Sequence, residues 1–445
     1  MLDGSNALLT CLGNHEFHAC GYTGKLNYWG LNNPIGDWPL LQHVPDLAAI
    51  GLGADGHPAR TRVLEVLSVV GIVGSLALAR ITLVRVGRAA WFWAFALLVL
   101  TSPFLWYART TSGESFATGL LVCLIAATAL PAHPALVGLA VIGACWTKET
   151  SYPFVAALGL TALVLARRRT GRPIRAHVIF GAAGMAVAIT ATSLFNEVRF
   201  GHVLNPNLFE AELHTPGIGR RLEYTAAVLV SPSGGVLFFW PAAFLLVLAA
   251  CIVAWRRKDV DGRPALVIAA VVLALSFGFA SWWTPFGWSA YGPRLALPWV
   301  LPIALLTLVA YGEPLREVVL RTLVPSWRLA VVAALLLVFT LPNIGQTWRP
   351  NQFGRFFAQE QTADCQPPWR GTFAQWNACQ HRLMWLHRPM PIYAARGAGS
   401  PTGLITTVLV AAGLVGCLVL LRAGLSEGAP AARPAAARVA PARPR

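Results

Sequence analysis

Leu404–Leu421 reads LITTVLVAAGLVGCLVLL, eighteen residues with no charge and no proline. A helix of about 20 such residues crosses a hydrocarbon core of roughly 30 Å. Uncharged apolar runs recur in Val236–Ala254, which includes Pro241, and in Ala265–Ser281. A helix on the surface of a soluble protein would alternate apolar and polar faces instead. Composition agrees: 56% of the 445 residues are hydrophobic and 12% are charged, about half the charge density of a soluble domain. The pattern predicts an all-α fold, a polytopic transmembrane helix bundle. Eleven spans are expected, at 64–84, 90–108, 115–131, 134–147, 151–166, 177–196, 235–254, 265–282, 295–311, 329–345 and 404–421.

The net charge of +16 suggests nucleic acid until its distribution is mapped onto these spans. The loops fall into two alternating sets. One set (85–89, 132–133, 167–176, 255–264, 312–328 and the tail from Arg422) holds nineteen Lys/Arg against five Asp/Glu. The other is far longer and holds fifteen basic against thirteen acidic residues, with Glu65 and Arg80 left inside the first span. Short basic clusters such as Arg167-Arg168-Arg169 and Arg256-Arg257-Lys258 on one side are the positive-inside pattern. They predict a multi-pass inner (plasma) membrane protein with its C-terminus in the cytoplasm, bathed in membrane lipids and binding no nucleic acid. Cysteines follow the same division. Cys123, Cys145, Cys251 and Cys417 lie in apolar runs, whereas Cys11, Cys20, Cys365 and Cys379 are all in outer segments. The close pairs 11/20 and 365/379 are expected as disulfides of an oxidising compartment.

The organisation expected is an extracytoplasmic first loop (1–63), a transmembrane core (64–345), a Trp/Arg/Gln-rich extracytoplasmic loop (346–402), a last transmembrane helix (403–422) and a disordered Ala/Pro/Arg-rich cytoplasmic tail (423–445). The chain opens on Asp3-Gly4-Ser5 as though midway through a loop, so a preceding helix is expected upstream. The basic loops are short and lack a Gly-rich phosphate-binding signature.

Ionisable groups near membrane depth are costly and mark functional candidates. Glu114, Lys148, Glu149, Glu197, Arg199 and Arg294 each stand at an outer helix end. Arg binds phosphate through a planar fork of donors, and Arg294, following Gly292-Pro293, is expected to open a helix whose N-terminus also favours an anion. Lys148, between two short helices, could aim a second positive charge at the same place or pair with Glu149 or Glu114. A general base for a hydroxyl is most simply a carboxylate; the first outer loop offers Asp3, Asp37, Asp46 and Asp55, and local chemistry does not separate these from turn-forming aspartates. His15 and His18 beside Glu16 fit no standard zinc spacing, and no metal or other cofactor is called for.

Several stretches together resemble the GT-C glycosyltransferases, in particular the bacterial branch similar to dolichyl-phosphate-mannose protein mannosyltransferases. They are Pro39–Asp46, Ser112-Gly113-Glu114, Thr147-Lys148-Glu149-Thr150, Phe195–Gly201, Ser231-Pro232 through Pro241, and Trp288 with Tyr291-Gly292-Pro293-Arg294. The resemblance spans residues 1–300. It implies inverting transfer of a sugar from a polyprenyl-phosphate donor to a lipid, glycan or protein acceptor on the outer face. It further implies Asp3 as the catalytic base and Lys148 and Arg294 at the donor phosphate; Asp37, in the turn-like Pro34–Pro39 stretch, stays the alternative base from the residues themselves. Two other classes stay open on sequence: a lipid-linked sugar transporter, for which no internal repeat is visible, and a non-enzymatic envelope protein.

Overall fold

The computed structural model describes residues 2–23, 26–27, 30–31, 35, 40–54, 56–109, 113–130, 132–282, 286, 294–323, 326–348, 372–385 and 390–427. Helices follow one another in the order α1 (Leu2–Gly13), α2 (Leu40–Gly51), α3 (His57–Arg85), α4 (Trp91–Leu100), α5 (Phe104–Tyr107), α6 (Glu114–Ala129), α7 (Pro134–Cys145), α8 (Tyr152–Thr170) and α9 (Arg175–Phe200). Next come α10 (Ile218–Val230), α11 (Val236–Phe239), α12 (Pro241–Arg256), α13 (Arg263–Ser281), α14 (Leu297–Leu323), α15 (Ser326–Trp348), α16 (Phe373–Leu383), α17 (Met390–Ala395) and α18 (Pro401–Glu427). Between α1 and α2 the two-residue strands β1 (Leu26–Asn27) and β2 (Gly30–Leu31) pair antiparallel. The all-α class is therefore as expected.

Helix α14 is the axis of the bundle. Nearly every residue from Leu301 to Val309 is buried, with α6, α12, α4 and α8 packed around it. Further out, 58–85, 175–200, 263–281, 326–348 and 401–427 are long and apolar enough to cross a membrane. They expose Val69, Val70 and Val73 on α3, Val187 and Leu194 on α9, and Leu404, Val408 and Leu409 on α18. Water would make such surfaces a liability; hydrocarbon does not. This is a multi-pass membrane protein.

The eleven apolar segments all coincide with helix, but their limits differ from expectation. The segment 90–108 breaks at Ser102-Pro103, and 235–254 breaks at Trp240-Pro241, where proline removes a helix donor. The expected connection 312–328 is mostly helix, because α14 runs on to Leu323 and α15 begins at Ser326. The tail from Arg422 stays helical to Glu427. The outer segments are not simple loops either: 1–63 contains α1 and α2, 197–234 contains α10, and 346–402 contains α16 and α17.

Hydrogen bonds and ion pairs join ends within each of the two loop sets. At the basic ends, Arg168 pairs with Asp261, His177 Nε2 lies 2.8 Å from the Ala132 carbonyl, and Arg316 Nε donates to the Leu425 carbonyl at 2.7 Å. At the opposite ends, Arg109 donates to the Thr347 carbonyl at 2.9 Å and Thr215 Oγ1 to that of Trp282 at 2.8 Å. Each of these bonds joins ends belonging to the same set. Close approach of α3 to α6 depends on Gly71: a Cβ there would lie 2.4 Å from the Ser115 carbonyl oxygen. That contact seats the N-terminal end of α6, where Glu114 stands.

Candidate functional site

Arg294 and Glu114, 180 residues apart, meet at the end of the bundle opposite the basic loops. Glu114 is the first residue of α6, where the helix dipole favours a negative charge. Arg294 lies in the turn before α14, which starts at Leu297 rather than at Arg294 itself, and the Arg294 carbonyl accepts from the Leu297 N–H at 3.2 Å. Arg294 Nε donates to Glu114 Oε1 at 2.5 Å. Only 20% of the Arg294 side chain and 12% of the Glu114 side chain are exposed. The other carboxylate oxygen, Glu114 Oε2, is buried and has no hydrogen-bond partner among the described residues, and the same holds for the adjacent Ser115 hydroxyl. Burying a charged pair is costly, and leaving one of its acceptors unsatisfied adds to that cost.

Lys148 is placed as the spacing suggests. It is the extended residue (φ −166°, ψ 139°) between α7 and a short 3-10 turn, Glu149–Ser151, that leads into α8. Its side chain is exposed, and its ammonium sits 5.7 Å from the centre of the Phe279 ring near the outer end of α13, a cation–π arrangement. Of the two acidic partners open to Lys148 on sequence, Glu114 is engaged by Arg294; the Glu149 side chain lies outside the described residues.

Glu197 and Arg199 belong to a separate cluster at the end of α9. Glu197, near the end of α9, accepts from or shares a proton with His18: Oε1 lies 2.8 Å from Nδ1. Arg199 is fully buried, donates to Asn196 Oδ1, and is held between the Phe195 and Phe200 rings, each 4.6 Å away. Here the guanidinium packs the end of α9, where helix carbonyls favour a cation. The N-terminal segment docks on this end. Cys11 and Cys20 form the expected disulfide, and the Ala19 and Cys20 N–H groups donate to the Glu197 and Val198 carbonyls at 3.0 and 2.8 Å. Gly201, at φ +69°, turns the chain away directly beneath Ala19 and His18. Cys11, Glu16 and Cys20 place ligand atoms within 4.8 Å of one another, but the two sulfurs are bonded to each other, which leaves one carboxylate. Cys379 is also disulfide-bonded; Cys365, its expected partner, lies outside the described residues.

Asp3 belongs to the first turn of α1, although its side chain, like the whole of Asp37, lies outside the described residues. What holds α1 in place was not foreseen. Arg60, on the first turn of α3, donates through Nε to Asp46 Oδ1 at 2.7 Å and through a terminal nitrogen to Oδ2, and its other terminal nitrogen donates to Asn6 Oδ1 of α1 at 2.9 Å. Ser5 Oγ lies 3.0 Å from His43 Nδ1 of α2. Asp46, His43 and Ser5 are fully buried and Arg60 is 4% exposed. Burial pushes the Asp46 carboxyl up, but the Arg60 and Ser5 hydrogen bonds and the Arg60 charge outweigh it and hold the group below the ordinary aspartate range. An aspartate saturated in this way cannot serve as a base. Asp46 is thereby removed from the four acidic candidates of the first loop.

A second unforeseen cluster ties the 372–385 segment to α10. Glu223 accepts from Trp385 Nε1 at 2.9 Å, and its other oxygen lies 2.8 Å from His381 Nε2. Beneath them Tyr224 Oη donates to the Asn377 carbonyl at 2.6 Å, and Ser231 Oγ to that of Met384 at 2.7 Å. The His381 bond, ahead of any effect of burial, holds the Glu223 carboxyl below its usual range.

No family model matches the sequence, and no curated protein matches it. Two solved structures are similar over most of the chain. One is ArnT from Cupriavidus metallidurans in the apo state, 15% identical, covering 95% of this chain and 72% of that one, with a TM-score of 0.41. The other is ArnT from Cupriavidus metallidurans bound to undecaprenyl phosphate, 15% identical, covering 94% and 77%, with a TM-score of 0.39.

Proposed function

We propose that this chain is a membrane glycosyltransferase of the GT-C type, moving a sugar from a polyprenyl-phosphate donor to a hydroxyl acceptor on the outer face with inversion. The buried Arg294–Glu114 pair carries it: a fixed guanidinium at headgroup depth, on the non-basic face of an apolar bundle, is the group a lipid-borne phosphate requires. Lys148, at the outer end of a neighbouring helix pair, supplies the second cation. The basic face of the bundle is cytoplasmic on this reading, as the positive-inside bias expects.

In the reaction the acceptor oxygen forms a bond to the anomeric carbon from the side opposite the phosphate, and its proton passes to a carboxylate, Asp3 or Asp37. The bond from the anomeric carbon to the phosphate oxygen breaks, and its electron pair leaves with the polyprenyl phosphate. A diester monoanion thereby becomes a monoester dianion. Charge develops on the phosphate as the bond breaks, so Arg294 and Lys148 act where stabilisation lowers the barrier.

Purified protein in lipid nanodiscs, given polyprenyl-phosphate hexoses and a membrane extract as acceptor source, should release free polyprenyl phosphate, and Asp3→Asn should abolish that release with expression unchanged. Movement of the intact lipid-linked sugar across a proteoliposome membrane without cleavage would assign the chain to transport instead.

A further inference from the structure

Glu114 is the wrong residue for a site that only has to bind phosphate, since its charge offsets that of Arg294 and repels an anion. Three features of the pair explain its presence. Arg294 Nε occupies one oxygen, Oε1. The second oxygen, Oε2, is buried with no partner among the described residues, and the neighbouring Ser115 hydroxyl is buried likewise. Both groups sit on the first two residues of α6, seated by the contact of Ser115 with Gly71. A buried carboxylate oxygen left without a donor is unfavourable, and such exceptions call for a missing partner. The missing group must be a hydrogen-bond donor, and it must lie beside whatever the guanidinium binds. A sugar joined to phosphate presents that combination: an anion for the guanidinium, and a ring hydroxyl a few bonds away for the carboxylate.

Resting on the transferase reading above, we infer that Glu114 is a specificity-determining residue that recognises the donor's sugar, its Oε2 accepting from a sugar hydroxyl next to the phosphate held by Arg294, with the Ser115 hydroxyl as a second contact. The pair itself is neutral, so Lys148 provides the net positive charge for the phosphate. Glu114 then discriminates between a loaded carrier and a spent one, because bare polyprenyl phosphate has no hydroxyl to offer. Product release is favoured for the same reason.

Binding measured in nanodiscs tests this without turnover. The probes are undecaprenyl phosphate and a panel of its glucosyl, galactosyl, mannosyl and arabinosyl diesters. Wild type should bind at least one glycosylated lipid about tenfold or more tighter than the bare phosphate, the scale of one hydrogen bond to a charged group. Glu114→Gln, which keeps an oxygen for Arg294 but turns an N–H toward the sugar, should erase that preference while retaining affinity for undecaprenyl phosphate. A sugar preference that survives Glu114→Gln, or equal affinity of wild type for all five lipids, overturns the inference and shows that Oε2 serves only an ordered water. Arg294→Ala tests the underlying reading separately: undecaprenyl phosphate binding that is indifferent to it removes the phosphate site itself.

Discussion

Removal of the Arg60 side chain is the most exacting test of how the N-terminal segment is held. Arg60→Ala deletes three hydrogen bonds at once, two to Asp46 and one to Asn6, and leaves a fully buried carboxylate without its cation. Breaking a buried ion pair from one side costs about 3–5 kcal/mol. At about 1.4 kcal/mol per tenfold, the opening equilibrium of α1 and α2 should rise by roughly two to three and a half orders of magnitude. The rest of the bundle, anchored on α14, should be unaffected. Hydrogen exchange followed by mass spectrometry reads this directly: amides of Leu2–Gly13 and Leu40–Gly51 should exchange faster by about that factor, up to the limit set by their prior protection, while those of α14 stay protected. The double variant Asp46→Leu/Arg60→Met, apolar and of similar volume, should restore most of the protection. If the single and double variants exchange equally fast, or if Arg60→Ala changes α14 as much as α1, the pair is not a local lock and the reasoning fails.

Acid should open the same lock. Asp46 is held below the ordinary aspartate range, so its contribution is fully present above about pH 4 and is lost as pH falls through the depressed value; exchange at α1 should therefore accelerate only on the acid side, and Asp46→Asn should remove that dependence. Replacement of Gly71 by leucine puts a side chain where a Cβ alone already meets the Ser115 carbonyl, and should lower the thermal midpoint in detergent and displace Glu114, weakening undecaprenyl phosphate binding. Reduction of the Cys11–Cys20 disulfide frees the 14–20 segment from the end of α9, and should raise proteolytic cleavage between Asn14 and Tyr22 while sparing the apolar helices. Loss of the Tyr224 hydroxyl (Tyr224→Phe) removes a buried donor from the Asn377 carbonyl and should destabilise by about 1–3 kcal/mol, read as faster exchange in Phe373–Leu383.

The transmembrane skeleton was legible because lipid imposes one rule on every span, and an uncharged run of sufficient length satisfies it wherever it lies. Helices α1, α2, α10 and α16 obey no such rule. They are short and mixed in polarity, and they are held by partners remote in sequence: Asn6 by Arg60, Tyr224 by Asn377. Propensity alone does not stabilise a helix of that length, so nothing local announces them. The same limit applies to the site. The positions of Lys148 and Arg294 at helix ends could be read from hydropathy, and the Cys11–Cys20 pair from its spacing. That Glu114 belongs to Arg294 and not to Lys148, and that Asp46 is spent on Arg60, depends on side chains that only the tertiary fold brings together. Arg199 illustrates the same limit: its charge at a helix end was legible, but its place against the Phe195 and Phe200 rings was not.

Among the described residues two arginine–carboxylate pairs are largely buried, and they differ in one respect that separates support from recognition. Asp46 has both oxygens filled by Arg60, whose remaining donor goes to Asn6. Glu114 has one oxygen filled and one left over. A saturated pair is complete without a ligand, and an apolar pair of similar volume often replaces it with no loss of stability. A pair with a buried acceptor to spare is less stable than its own residues could make it, and its retention needs a different explanation. The two apolar double replacements should therefore behave differently. Asp46→Leu/Arg60→Met should keep both fold and lipid binding. Glu114→Leu/Arg294→Met should keep or raise the thermal midpoint and yet abolish binding of undecaprenyl phosphate. Stability lost in the second variant, or binding lost equally in both, would mean that the unsatisfied oxygen marks no site at all.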